Sequence, residues 1–329
     1  MRRLLIPLFA LTVLTASAED PKPAAVSFTE LEDRLRVEFD GELFTEYRFN
    51  DSDRFFPAFY PLVGPGGTKM TRRFPFEENT DEDTDHPHHQ SLWFAHSDVN
   101  GYTFWATREY KGRKPGHTVH QKFLEKVEGE EGGYFVAANN YEAPDGSIVM
   151  TDTRKVEFLG TADARILDIT ITFNASNGDV SFNDEKDAGM AIRVASELQV
   201  THRTKVNGKA KEGTGHLINS EGIRDVETWG KRARWVHSYG EVGGQKVGVV
   251  IMDHPTNPRY PTYWHSRDYG LVTANIYGKH FFEKLKDPQA GAMKLPNGES
   301  RTFRWRFVFH QGEADTDSVE AYFKQFAGE

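Results

Sequence analysis

From Ile166 to Phe173 the chain alternates. Leu167, Ile169, Ile171 and Phe173 take every second position, with Asp168, Thr170 and Thr172 between them. A period of two sends successive side chains to opposite faces of an extended segment, so such a run is half-buried strand. The same signal recurs along the chain. Leu35–Phe39 alternates, Asp40-Gly41 makes a two-residue turn, and Glu42–Phe49 runs back; Asp-Gly between alternating runs marks a hairpin. Tyr134–Tyr141 and Ile148–Phe158 flank a turn at Pro144-Asp145-Gly146. Met190–Val200, Val247–Met252, Leu271–Tyr277 and Phe303–His310 complete the set, punctuated by Asn207-Gly208, Gly243-Gly244 and Asn297-Gly298. One stretch reads as helix: Val319, Tyr322, Phe323 and Phe326 fall at i, i+3, i+4, i+7, with Asp317 as the expected N-cap. Many short strands and one terminal helix predict an all-β fold, a large antiparallel β-sandwich with a short C-terminal helix.

Residues 1–18 carry the pattern of a secretory signal peptide. Arg2 and Arg3 precede the short apolar run Leu4–Leu14, and Ala16-Ser17-Ala18 offers a small-residue cleavage site. The expectation is a single domain over 19–329 in a periplasmic or secreted protein without a transmembrane segment. Removing Arg2 and Arg3 leaves 38 basic and 49 acidic residues, a net charge of −11, which disfavours nucleic acid as a partner. With no cysteine, disulfides, thiolate metal sites and cysteine nucleophiles are excluded.

The chemistry concentrates between Thr71 and Trp105. Arg72 and Arg73 precede an acidic stretch (Asp81, Glu82, Asp83, Asp85), followed by His86, His88, His89, His96, Asp98 and Asn100. Imidazole suits metal ligation or proton transfer near neutral pH. In an extended backbone His86 and His88 would share a face as a chelating pair does, and His89 would point the other way. The plainer alternative is a polar loop whose histidines cap backbone groups. The acidic stretch lacks the spacing and glycine of a calcium loop, so it is read as solvated.

Two further clusters accompany it. Asp253-His254-Pro255 leads to Trp264, His265, Arg267, Asp268 and Tyr269, a mixture suited to sugars: aromatic faces stack on a pyranose, while Arg and Asp hold its hydroxyls. Trp264 as a core residue is the competing reading. In the third, Glu185–Val200, Arg193 sits between Ala191 and Ala195, either on a solvent face or reaching into a cleft. Trp229, Lys231, Arg232, Arg234 and Trp235 form a basic-aromatic patch. No Gly-x-Ser-x-Gly elbow, P-loop, dinucleotide fingerprint or His-Glu-x-x-His motif is present.

Thr71-Arg72, Asp85-His86-Pro87-His88-His89, Leu92-Trp93-Phe94, His96-x-Asp98-Val99-Asn100-Gly101 and Phe104-Trp105 together resemble a known bacterial family. Asp253-His254-Pro255-x-Asn257-Pro258 and Trp264-His265-x-Arg267-Asp268-Tyr269-Gly270-Leu271 strengthen the likeness. The family is the PmoA-like one, labelled "methane oxygenase PmoA"; Gln90 departs from it where Arg is expected in many relatives. The membrane methane monooxygenase is a multi-span copper enzyme, so that label does not transfer to a chain without an apolar span. The resemblance implies a supersandwich similar to galactose mutarotase.

The expected function is metal-independent acid–base chemistry on a sugar ring, of epimerase, hydrolase or lyase type, with a carbohydrate or other small molecule as partner and no cofactor. His88, His89 and His96 are the expected proton carriers, and Asp98, Asp253 or Glu185 the carboxylate. Arg72, Arg193, His254, Trp264, His265 and Arg267 are expected to bind substrate, and Arg72, His88, His89, His96, Arg193, Asp253, His254, His265 and Arg267 to line one cleft. Two alternatives stay open: copper or zinc on His86, His88 and His96, and a non-catalytic glycan-binding module.

Overall fold

The computed structural model describes residues 23–49, 54–78, 82–206, 209–212 and 214–329. The signal-peptide stretch 1–18, Asp81 and the turn Asn207-Gly208 lie outside them. Strands and helices are numbered along the chain. In spatial order the first sheet runs β1 (Val26–Glu30), β2 (Arg34–Phe39), β3 (Glu42–Arg48), β4 (Ala58–Leu62), β5 (Leu92–His96), β11 (Ala188–Arg193), β18 (Leu271–Asn275), β17 (Tyr263–Trp264). The second runs β14 (His216–Asn219), β15 (Trp235–Val242), β16 (Gln245–Asp253), β20 (Ser300–Gln311), β9 (Ala164–Asn174), β8 (Ile148–Gly160), β7 (Gly133–Glu142), β6 (His117–Val127). The strand pairings in both sheets are antiparallel. Two short ribbons, β10 (Val180–Phe182) with β19 (Met293–Leu295) and β12 (Thr201–Val206) with β13 (Lys209–Glu212), lie outside the sheets.

The main core lies between the sheets, as the alternation requires. Leu167, Ile169, Ile171 and Phe173 of β9 meet Leu92, Phe94, Met190 and Ile192 of the first sheet in one apolar cluster. The β2–β3 turn has Asp40 and Gly41 both at positive φ (50° and 81°), the geometry that matches strand twist in a two-residue hairpin. Two expectations need correction. The run Met190–Val200 leaves the sheet at Arg193 and turns through a short 3-10 segment, Ser196–Leu198. The terminal helix, α2 (Thr316–Ala327), is capped by Asp315 rather than Asp317: the Asp315 carboxylate accepts the Ser318 backbone N–H at 2.8 Å. A five-residue helix, α1 (Lys279–Glu283), was not foreseen.

Both sheets are covered on their outer faces as well. Val319 and Phe323 of α2 pack with Trp235, Val250, Met252 and Val308 outside the second sheet. Outside the first sheet, Phe56, Ala58, Trp93, Ala95, Trp105, Ala191, Tyr269 and Leu271 form a second cluster. Ala58, Trp93 and Ala191 are register neighbours across β4, β5 and β11, and Thr273 follows on β18. Larger residues from the loops pack over this row.

Candidate functional site

Those loop residues are the histidines. The segment before β5 is a turn, not an extended strand: the His89 N–H donates to the His86 carbonyl at 2.9 Å, with Pro87 at the second turn position. His86 (φ 46°) and Ser91 (φ 61°) take left-handed backbone, which costs a branched side chain energy and is held only by strong surroundings. His86 and His88 stay neighbours, edge to face at 5.6 Å, but not on one face of an extended strand. His86 stacks on His89 (4.7 Å, 14°) and on Tyr269 (5.4 Å, 8°), while His88 stands edge-on to His89 at 4.7 Å. Trp93 and Trp105 lie beneath His89 at 5.5 and 5.7 Å.

Arg72 holds this loop in place. Wholly buried, it donates to the carbonyls of Phe74, Asp83, Asp85 and His86 at 2.9–3.2 Å and to the Asp85 carboxylate at 2.9 Å. All its donor nitrogens are thus spent inside the protein, which removes it from the expected substrate contacts. Arg193 is also wholly buried and reaches Asp85 at 3.3 Å and His89 Nδ1 at 3.2 Å. These two guanidiniums, with the His86 hydrogen bond, hold the Asp85 carboxyl well below the usual range against the opposing pull of burial.

The tautomers follow from these partners. Asp85 is an anion and can only accept, so the 2.6 Å contact with His86 Nδ1 places the imidazole proton on that nitrogen. In the neutral ring His86 Nε2 then carries the lone pair, and the side chain is 36% exposed. Arg193 can only donate, so His89 Nδ1 accepts and its proton sits on Nε2. Burial and the neighbouring cations keep His89 neutral, its pKa well below normal. Burial and His86 lower His88 to about 4. The stacked pair thus presents a base, His86 Nε2, beside a hydrogen-bond donor, His89 Nε2–H.

A charged chain borders the cluster. The Tyr110 hydroxyl donates to Asp187 at 2.9 Å, and Lys111 bridges Asp187 (3.0 Å) and Glu185 (2.8 Å). Arg113 joins Glu185 (2.9 Å) to Asp98 (2.7 Å). Glu185 and Asp98, expected as catalytic carboxylates, are thus committed to cations. His265 donates Nδ1–H to the Lys186 carbonyl at 2.7 Å and lies near Asp187, as His88 does. Burial lowers His265 to about 4. Arg267 lies 5.5 Å over the Tyr269 ring. On this outer side of the sheet, Trp93 Nε1, Arg193 Nε and Thr273 Oγ1 are buried without a hydrogen-bond partner among the described residues. Buried polar atoms of this kind are ordinarily met by water or ligand.

Of the nine residues expected in one cleft, Arg72, His88, His89, Arg193, His265 and Arg267 gather here. His96, Asp253 and His254 do not. His96 follows Phe94 on the inner face of β5 and packs against Phe182 and Tyr277 (5.6 and 4.6 Å), across the sheet from Trp93 and His89. A metal site on His86, His88 and His96 is therefore not formed, and no three His, Asp or Glu among the described residues are arranged to hold a metal. Asp253 ends β16 in the second sheet, where its carboxylate accepts from Asn257 (2.7 Å) and the Thr262 N–H (2.9 Å), and burial raises it to about 7. His254 packs edge-on against Phe326 of α2 at 4.8 Å. Trp264 is core, its indole donating to the Ala233 carbonyl at 2.9 Å, so it offers no face to a sugar. The basic-aromatic patch is used internally: Arg234 and Trp235 both bond Glu320, and Arg232 bonds the carbonyls of Arg259 and Pro261.

Asp85, Asp187, Tyr110 and Tyr269 were missed as site residues. Asp85 and Tyr269 stand within the motifs that carry the resemblance, whereas Tyr110 and Asp187 had no local signal.

No curated protein matches the chain. Among solved structures it is similar to a glycoside hydrolase family 97 enzyme from a Pseudoalteromonas strain, in complex with acarbose (10% identity, 88% of this chain and 34% of that one, TM-score 0.33). The chain thus spans about a third of that enzyme's length. It is similar also to a galactose mutarotase-like protein from Lactobacillus casei (8%, 87% and 100%, TM-score 0.33) and a putative aldose 1-epimerase from Escherichia coli (11%, 88% and 100%, TM-score 0.30). Likeness of that degree decides nothing about the site, and the sandwich stands on its own sheets. At the level of sequence, the model described as "Family of unknown function (DUF6807)" matches residues 34–324, and the chain belongs to that family.

Proposed function

We propose that this protein is an exported carbohydrate-active enzyme that works by acid–base chemistry on the outer face of its first sheet. His86 takes a proton from the substrate, and His89 donates a hydrogen bond to the oxygen that gains charge. The observation that carries this reading is the opposite tautomers that Asp85 and Arg193 impose on two stacked imidazoles. A base and a donor side by side in a fixed geometry suit proton removal from a hydroxyl with charge building on a neighbouring oxygen. Asp85 orients His86 and stabilises the imidazolium once the proton has moved; the imidazolium then returns the proton to the leaving or ring oxygen. The cluster's aromatic surroundings (Trp105, Tyr110, Tyr269) and the polar atoms without a partner among the described residues suit a ring with apolar faces and a hydroxyl rim.

The test is turnover of a panel of mono- and oligosaccharides by metal-free protein. It is read by NMR for anomers and epimers, by new reducing ends for hydrolysis, and by ultraviolet absorbance for unsaturated products. The expected result is turnover by the wild type and a loss of about 10²–10⁴-fold in His86→Gln. Activity that appears only on adding copper or zinc would replace this reading with a metal-dependent one, as the PmoA label suggests. Sugar binding without turnover, little changed in His86→Gln, would leave a glycan-binding module.

A further inference from the structure

We infer that the substrate of this site is a sugar acid, a uronic or aldonic residue whose carboxylate is held by Arg267. The inference rests on the acid–base reading above and adds the charge of the ligand. Most cations around the histidines have a carboxylate within salt-bridge distance. Arg72 and Arg193 share Asp85, Lys111 joins Asp187 to Glu185, Arg113 joins Glu185 to Asp98, and Lys186 pairs with Asp187. Arg267 is the exception. Half-buried, its guanidinium makes no hydrogen bond or ion pair among the described residues, and its only partner is the face of Tyr269 at 5.5 Å. Tyr269 in turn stacks on His86 at 5.4 Å, so the unpaired cation stands one aromatic ring away from the proposed base.

The chain as a whole carries −9, so an unpaired positive charge here runs against its general composition. A guanidinium presents a planar fork that meets a carboxylate with two parallel hydrogen bonds, and a partly desolvated one gains most when an anion arrives. A neutral sugar would leave that fork unused. A sugar acid uses it, and the held carboxylate fixes which ring position faces His86 Nε2.

Calorimetric titration of the full chain with matched ligands tests this: galacturonate against galactose, glucuronate against glucose, and glucose 6-phosphate. Each acid is expected to bind at least about tenfold more tightly than its neutral counterpart, the scale of a charge-assisted hydrogen bond. The advantage should shrink as salt is raised. Arg267→Gln should bring the acid close to its neutral counterpart, and Arg267→Lys should recover only part of the difference, with the unfolding temperature of each variant confirming a folded chain. Equal binding of acid and neutral sugar would overturn the inference and leave the acid–base reading standing. So would tighter binding of glucose 6-phosphate than of glucuronate, or an acid preference that survives in Arg267→Gln. A folded protein that binds none of these ligands and turns over no sugar would remove both.

Discussion

Arg72 shows why a motif residue need not touch substrate. Its donors tie together backbone at 74, 83, 85 and 86 and the Asp85 carboxylate, so it fixes the loop on which the base stands. Lysine offers a point charge in place of a fork and cannot reach those carbonyls together. Arg72→Lys is therefore expected to lower stability by about 3 kcal/mol or more in urea unfolding, the scale for disrupting a buried charge cluster. A variant with unchanged stability would mean that the loop is held by other contacts. Asp85 works by the same logic at shorter range: one oxygen faces the arginines and the other His86, so a single carboxylate sets the base's tautomer. In the sequence Asp85 stood at the end of an acidic stretch and inside a motif, and its role was not legible because one of its partners, Arg193, lies 108 residues away.

Among the elements, the β2–β3 hairpin and β9 were legible because one face of each is apolar and the turn residues are explicit. The face of β5 was not. Every residue of Leu92–His96 is buried, so no polar alternation marks inside from outside. Only the partners decide: Phe94 joins the inter-sheet core and Trp93 the outer cluster, which carries His96 to the wrong side for the site. Trp264 is lost from the expected site for the same reason, on a two-residue strand with no pattern to read. The segment is a loop, as one of the two readings had it; the extended pairing of His86 with His88 fails because Pro87 favours a turn as readily as a strand edge, and the left-handed backbone at His86 leaves no trace in the sequence. Composition and spacing thus located the loop, and long-range partners decided which of its side chains join the cluster.

On the scale of the whole molecule, buried neutral histidines govern the response to acid. Burial lowers His96 and His237 to about 3 and His265 to about 4, and lowers His89 well below normal. In the unfolded chain each takes up a proton near its usual value of about 6.5. Between that value and the folded one, the unfolded state binds more protons, so stability falls as pH drops. Each such histidine costs up to about 1.4 kcal/mol per pH unit below its unfolded value. Asp253, raised to about 7, works the other way, because its folded form holds a proton that the unfolded chain releases above about 4. It offsets one histidine and not four. The urea midpoint should therefore decline steeply from pH 6.5 to pH 4.5. A midpoint that stays flat over that range would show that these imidazoles are reached by water in the folded state.

The central claim is that Asp85 and Arg193 hold two stacked imidazoles in opposite tautomers, making a base of His86 and a donor of His89. Long-range ¹H–¹⁵N correlation of the histidine rings at neutral pH reads this directly, with His86→Gln and His89→Gln assigning the signals. A protonated Nδ1 and bare Nε2 are expected for His86, the reverse for His89, and loss of the His86 pattern in Asp85→Asn. The same tautomer on both rings, or a His86 pattern unchanged in Asp85→Asn, would contradict it.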